Sequence, residues 1–301
     1  LGVVMLDAIF IGLSLGSILL LVALGLAITY GAMGVINLAH GEMVMIGAYT
    51  AVLVRIWLNL GLLVAIPIAF VAAAVTGYVI ERLIVRRLYG RLFDTLLATW
   101  GVSILLQQAV RLEGGLSFFG IHIAGLGSGL QRVDLPSWLI GAVKIAGIDL
   151  NIYRSFIILV TLALTAITWA ILYRSSVGMQ VRAIMRNPRM AAASGIDVGR
   201  INSLTFAYGS GLAGVAGVMM AGFKTVFPDM GTSLVVDGFL VVVVGGVGSL
   251  VGSVVAAAML GQINGMVALL SNDVLARAVV FAVVVAIITY WPKGLFSYKG
   301  R

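Results

Sequence analysis

The 301-residue chain contains no cysteine, which excludes disulfide bridges and thiolate-held metal sites. Its only two histidines, His40 and His122, lie far apart in sequence and make no metal-ligand set. Charge is scarce as well: 10% of the residues are Asp, Glu, Lys or Arg, where soluble domains carry about a quarter. With 61% hydrophobic residues, that shortage excludes a soluble domain and leaves an integral membrane protein. The apolar runs are continuous rather than short and alternating, so they are helical spans and not barrel strands. Catalytic signatures are missing too. His40-Gly41-Glu42 is not His-Glu-x-x-His, and no Gly-x-Ser-x-Gly elbow comes with a plausible histidine base. No Gly-Lys-Ser/Thr loop cradles a phosphate, so the chain does not hydrolyse ATP by itself. An enzyme, a catalytic residue, a bound metal and a cofactor of the chain's own are therefore all unexpected.

What is present centres on Gly31-Ala32-Met33-Gly34-Val35-Ile36-Asn37-Leu38-Ala39-His40-Gly41-Glu42. It lies between apolar runs at residues 6–30 and 43–53 and places an amide, an imidazole and a carboxylate within six positions. Three glycines in the window loosen the backbone, since glycine lacks the Cβ that favours one helical basin. A polar, glycine-broken helix at membrane depth is costly unless it lines a cavity or packs on protein. It reads either as part of a solute path or as a tight turn between helices with polar caps.

Further spans are expected at residues 61–80, 92–110, 156–173, 201–223 and 275–291. The run 239–270 exceeds the roughly 20 residues of one crossing. Gly245-Gly246-Val247-Gly248-Ser249 interrupts it, so a half-helix that turns back and then a full helix fit better than one rod. The first residues lack a basic n-region, so the first span is expected to be retained, and the opening Leu1 raises the expectation of a native start upstream. Residues 111–154 form the longest stretch outside the spans, glycine-rich and mixed in charge. Leu135-Pro136-Ser137-Trp138-Leu139 is expected as a turn with an interfacial anchor, within either a small hairpin or short interfacial helices.

Charge placement orients the threading. Arg82, Arg86, Arg87 and Arg91, then Arg174, Arg182, Arg186, Arg189 and Arg200, then Lys293, Lys299 and Arg301 fall on one side against Glu81, Asp94 and Asp197. On the other side, seven basic residues meet seven acidic ones. Basic excess marks the cytoplasmic face. This puts residues 112–154 in the periplasm, 174–200 in the cytoplasm, the N-terminus outside and the C-terminus inside. The net charge of +8 thus belongs to membrane topology and not to nucleic acid.

Neutral hydrogen-bonding residues accompany the spans: Tyr30, Asn37, Thr99, Gln107, Gln108 and Ser249, beside His40, Glu42 and the Gly245-Gly246 turn. Apart from Glu42 the spans hold almost no charge at mid-membrane depth. A path lined this way suits a small neutral polar solute better than an ion. For Gln107 and Gln108 the competing reading is interhelical hydrogen bonding. Glu42 either touches solute or caps the amide ends of its helix.

The loop before the sixth span has its own design. Arg182, Arg186, Asn187-Pro188, Ala191-Ala192 and Gly195-Ile196-Asp197 describe a turn, a short Ala-rich helix and a glycine stop. A small-residue helix displayed this way suits docking in a partner's groove, against the alternative of a solvated loop.

The run 31–42, the Ala-rich loop ending Gly195-Ile196, and Gly245-Gly246-Val247-Gly248-Ser249 together resemble the branched-chain amino acid permease family of ABC importers, over nearly the whole chain. Other stretches look more like that family's urea branch: Leu96-Leu97-Ala98-Thr99-Trp100-Gly101-Val102-Ser103 with Gln107-Gln108, Pro136-Ser137-Trp138, Phe227-Pro228-Asp229, and the tail Gly294-Leu295-Phe296 with Lys299-Gly300-Arg301. Lys224-Thr225-Val226 departs from the neutral approach of that branch. The resemblance implies a multi-pass permease in the bacterial inner membrane, embedded in lipid and paired with a second related permease. It further implies two cytoplasmic ATPases that bind the ATP, a periplasmic substrate-binding protein, and a coupling helix at residues 186–197.

The expected architecture is all-α: one transmembrane domain over residues 1–301, about eight or nine spans, broken or re-entrant helices and inverted repeats. The expected solute is urea or a short amide. The alternatives are a branched-chain or other neutral amino acid carried by the same machinery, and a passive urea channel, which would need no docking helix.

Overall fold

The computed structural model describes residues 2–112, 116–118, 121–123, 130–145 and 148–296. Glu113 and the tail Lys299-Gly300-Arg301 lie outside the described residues. The chain is all-helical as expected. In order it forms α1 (Gly2–Met33), α2 (His40–Leu58), α3 (Leu62–Leu83), α4 (Leu92–Arg111), α5 (Ile152–Arg174), α6 (Ser176–Arg186), α7 (Pro188–Ala193), α8 (Val198–Ala221), α9 (Met230–Gly245), α10 (Leu250–Leu270) and α11 (Asp273–Tyr290). Of these, α1, α2, α3, α5, α8 and α10 are long and apolar enough to cross a membrane, and α9 and α11 are shorter apolar helices. The more polar, 20-residue α4 adds a further membrane-length helix. Between α4 and α5 the described residues take the hairpin form of the two left open by the sequence. They make two antiparallel hairpins, Leu116–Phe118 with Ile121–Ile123 and Ala142–Ile145 with Ile148–Asn151, and a single 3-10 turn at Ser137–Leu139.

Two compact units are present. One comprises Leu1–Ala32, Leu135–Asn202 and Asp237–Arg301; the other comprises Met33–Asp134 and Ser203–Val236. Each contains one of the two helix breaks.

In the first unit α1 and α10 pack through matched small residues. Gly12 and Gly16 on α1 oppose Gly261 and Gly265 on α10, a four-residue spacing on both helices. A Cβ at Gly261 would sit 2.4 Å from the Gly16 Cα, and one at Gly265 2.6 Å from the Gly12 Cα. Only hydrogen side chains allow this approach, which gains van der Waals contact where lipid supplies no hydrophobic drive. Gln262, between the two glycines, donates to the Ile9 carbonyl at 2.8 Å. The second break follows α9, at residues 246–249, with Gly246 (φ 95°) and Gly248 (φ 75°) in the left-handed region. Gly245 and Gly252 touch backbone to backbone, so the chain folds back there, where a straight helix would hold them about 10 Å apart. The segment after α11 returns to this break: Leu295 and Phe296 N–H groups donate to the Val244 and Gly245 carbonyls at 2.8 and 3.2 Å. Those are among the last carbonyls of α9, which have no partner within the helix.

In the second unit α8 packs against both α2 and α3. A Cβ on Gly47 would stand 1.9 Å from the Gly214 carbonyl oxygen, and Gly214 itself rests on Ala69 and Ala73. Here three expectations need correction. The second span begins at His40, not residue 43, so His40-Gly41-Glu42 is the first turn of α2 rather than part of the break. The break is residues 34–39, and of the three glycines only Gly34 (φ 65°) takes a conformation that L side chains avoid. Gly31 and Gly41 are helical and serve close contact; a Cβ at Gly41 would lie 2.4 Å from the Gly231 carbonyl.

Charge within the helices also exceeds the expectation. Glu81, read as a loop acid, is fully buried in α3, where Tyr89 and Ser203 hydroxyls donate to its two carboxylate oxygens. Asp237 of α9 pairs with Arg277 of α11 at 3.4 Å, and with Asn264 they line a small cavity of about 10 Å³. Both pairings join groups far apart in sequence, which composition along the chain does not reveal.

Candidate functional site

The sequence of α4 places Thr99, Ser103, Gln107 and Arg111 four residues apart, which puts them on one helix face. At 1.5 Å per residue the row extends about 18 Å, more than half of a bilayer's apolar thickness. A polar row that long in a membrane helix requires partners, and the second unit supplies them. The Leu38 N–H, inside the first break, donates to Thr99 Oγ1 at 3.2 Å. Glu42 Oε1 accepts from Ser103 Oγ and from Gln107 Nε2, both at 2.8 Å. Gln107 Nε2 also reaches Thr232 Oγ1 at 3.2 Å, and Arg111 pairs with Asp229, which precedes α9.

Exposure grades along this row. Thr99 and Ser103 are 0% and 6% exposed, Gln107 is half-buried, and the Arg111 side chain is 34% exposed. The row is therefore closed at the Thr99 end and open at the Arg111 end. At the closed end Asn37, His40 and Glu42 are all buried. Two acceptors there, Asn37 Oδ1 and Glu42 Oε2, have no hydrogen-bond partner among the described residues. The row is thus a polar helix face with two buried, unsatisfied acceptors at its deep end and the Arg111–Asp229 pair at its open end.

Several site expectations change. Glu42 does not cap its helix with a side-chain hydrogen bond; it bonds instead to the polar face of α4. Gln107 makes interhelical hydrogen bonds, whereas Gln108, about 100° round the helix, is exposed away from the row. Ser249 caps α10, accepting from the Gly252 N–H at 3.0 Å. Tyr30, Gly245, Gly246 and Ser249 belong to the first unit, while Asn37, His40, Glu42, Thr99 and Gln107 belong to the second. Sequence reasoning missed Thr232 and the Arg111–Asp229 pair; the four-residue spacing down α4 was the available signal.

The expected docking segment takes the form its residues dictate. Asn187 Oδ1 accepts from the Met190 N–H at 3.0 Å and Pro188 opens α7, an N-cap followed by a proline in the first turn. Gly195 stops the helix with φ 84°, and Asp197 Oδ1 accepts from the Arg200 N–H at the start of α8. Ala191 and Ile196 turn inward, while Arg186, Met190 and Ala192 are exposed. Arg182 stacks on Tyr173. The preceding α6 carries Met185, whose terminal methyl lies against Gly31 of α1 and Gly248 of the second break.

The chain matches the family described as branched-chain amino acid transport system / permease component over residues 8–288. It is 33% identical to the high-affinity branched-chain amino acid transport system permease protein LivH of Escherichia coli (strain K12), over 97% of this chain and 95% of that protein. LivH of Salmonella typhimurium is 32% identical over the same shares. BraD, the corresponding protein of Pseudomonas aeruginosa, is 30% identical over 95% of this chain and 94% of its own length. No solved structure matches the chain. With a helical multi-pass architecture and a likeness that runs from end to end, this chain belongs to the branched-chain amino acid permease family of ABC transporters.

Proposed function

We propose that the chain is the permease subunit of an ATP-driven importer in the bacterial inner membrane and that it carries a branched-chain or other small neutral amino acid. The observation that carries this reading is the polar row of α4 together with Glu42. A zwitterionic amino acid needs acceptors for its ammonium and donors for its carboxylate. Glu42 Oε2 and Asn37 Oδ1 offer the acceptors at the deep end; nearer the mouth Arg111, which bonds Asp229 through Nη2, offers donors on its other guanidinium nitrogens. Urea, the first expectation, uses the acceptors but has no carboxylate to engage a guanidinium. The relatives, whose names specify branched-chain amino acids, favour the second solute over the first.

In this reading the chain pairs with a second related permease, receives solute from a periplasmic binding protein, and docks α7 against one of two ATPases that bind and hydrolyse the ATP. The N-cap, proline start and glycine stop of α7 support a rigid docking element. The test is uptake into proteoliposomes holding the full complex, with leucine and urea supplied separately. Leucine uptake should require ATP and fall at least tenfold in Gln107→Leu with the complex intact. ATP-dependent urea uptake without leucine uptake would refute the solute; uptake without ATPase subunits would refute the importer.

A further inference from the structure

The C-terminal end of α5 and the following helix α6 carry an arrangement that neither the polar row of α4 nor the docking helix α7 includes. The Trp169 and Tyr173 rings lie 5.9 Å apart with their planes tilted by 33°. The Arg174 guanidinium lies 5.5 Å from the Trp169 ring centre and that of Arg182, from α6, 5.1 Å from the Tyr173 ring centre. Neither arginine has a carboxylate or hydrogen-bond partner among the described residues, and Arg182 Nη1 is buried without one. The sequence supplies no counter-charge nearby, since no acidic residue occurs between Asp149 and Asp197. A guanidinium held over a ring keeps its planar fork of N–H donors, the geometry that grips a phosphate with two parallel hydrogen bonds.

The neighbouring surface indicates what brings the phosphate. Leu159, Leu162, Ala166, Trp169 and Tyr173 follow three- and four-residue steps along one stripe of α5, and all are exposed. α5 is the least buried of the six long spans, with 17% of its apolar window covered. An apolar stripe ending in two paired-up rings and two unpaired guanidinium groups matches an acyl chain ending in a phosphodiester. We propose that Arg174 and Arg182, braced on Trp169 and Tyr173, form a binding site for the headgroup of an anionic phospholipid whose acyl chain lies along Leu159 and Leu162.

The test uses the full chain in nanodiscs, with Trp169 as the single tryptophan and brominated phosphatidylglycerol or brominated phosphatidylcholine as quencher. Each basic residue near an anionic surface contributes about a fivefold preference, so the pair should favour the anionic lipid about 30-fold. Arg174→Gln with Arg182→Gln should bring quenching by the two lipids to the same level. Arg174→Lys with Arg182→Lys, which retains charge and fold but loses the forks, should keep only part of the preference. Equal quenching in the unaltered arginine pair, or an anionic preference that survives both glutamines, overturns the site. Loss of the preference on adding inorganic phosphate makes free phosphate the occupant and overturns the lipid. Absence of quenching by either lipid would mean that protein covers this face, which also overturns it.

Discussion

Met185 gives the sharpest test of how α6, which precedes the proposed docking helix, reaches α1 and the second break. Its methyl lies where a Cβ on Gly31 would be, only 2.2 Å away, with the Gly248 Cα 3.1 Å from the same point. Carbon atoms in contact normally stand 3.5–4.0 Å apart, so Gly31→Ala creates an overlap of about 1.3 Å. Gly248 cannot yield readily, because its left-handed backbone (φ 75°) fixes the turn into α10. The methionine must move instead, and its unbranched chain can. Overpacking costs about 1–3 kcal/mol, and a flexible neighbour places this case near 1 kcal/mol. Met185→Ala alone should cost about 1–2 kcal/mol, since the side chain is only half-buried and core Met→Ala changes cost about 2–5. Combined, the new alanine methyl occupies the space the methionine leaves, so the double variant should be at least about 1 kcal/mol more stable than the sum of the two losses. Denaturant unfolding in micelles measures this cycle. Solute-stimulated ATP hydrolysis by the assembled transporter gives the second readout, and it should fall in Met185→Ala and stay low in the double variant. Packing is restored there, but the contact from α6 to both α1 and the second break is not. Additivity within about 0.3 kcal/mol would refute the packing argument. Recovered ATPase stimulation in the double variant would refute transmission through Met185.

Glu42→Ala and Gln107→Ala should be coupled by about 0.6 kcal/mol, the mean for membrane hydrogen bonds, and by no more than about 1.7; zero coupling in a double-mutant cycle would contradict the 2.8 Å bond between them. Gly47→Ala should destabilise by about 3 kcal/mol, because the added carbon meets the Gly214 backbone, whereas Gly101→Ala, with nothing within 4 Å, should be neutral or stabilising by up to about 1; equal effects would undo the close-approach argument. A cysteine in place of the exposed Ser137 should react with an impermeant reagent added outside the cell, and labelling from inside alone would reverse the proposed orientation.

The sequence was most legible where local chemistry decides. Asn187-Pro188 starts α7 because an amide caps the helix and proline pre-sets the first turn, and both act within a few residues. Gly246 and Gly248 break the helix because their positive φ angles exclude other residues. The first break was harder for a reason the residue names conceal. Gly34 is required for its φ, while Gly31 and Gly41 are required for space beside Met185 and Gly231. In a sequence all three look alike, so the break appeared twice as long as it is. Glu81 was misread for the same kind of reason: next to Arg82 at the end of a span it resembles a boundary acid. Tyr89 and Ser203, the latter more than a hundred positions later, make it a buried acceptor.

That distinction bears on how polarity is arranged in the second unit. A buried carboxylate is costly unless its oxygens are satisfied. Glu81 has both oxygens engaged by hydroxyl groups and so is complete as a structural tie between α3 and α8. Glu42 has two donors on Oε1 and none among the described residues on Oε2, and Asn37 Oδ1 is in the same position. An acceptor retained in such a state at the deep end of an 18 Å polar row, estimated from about 1.5 Å per residue, is a poor structural tie but a good place for a donor that comes and goes. The chain thus carries two buried glutamates of opposite character: Glu81 has both oxygens engaged, whereas Glu42 keeps one unengaged, the one that the function proposed above gives to the solute.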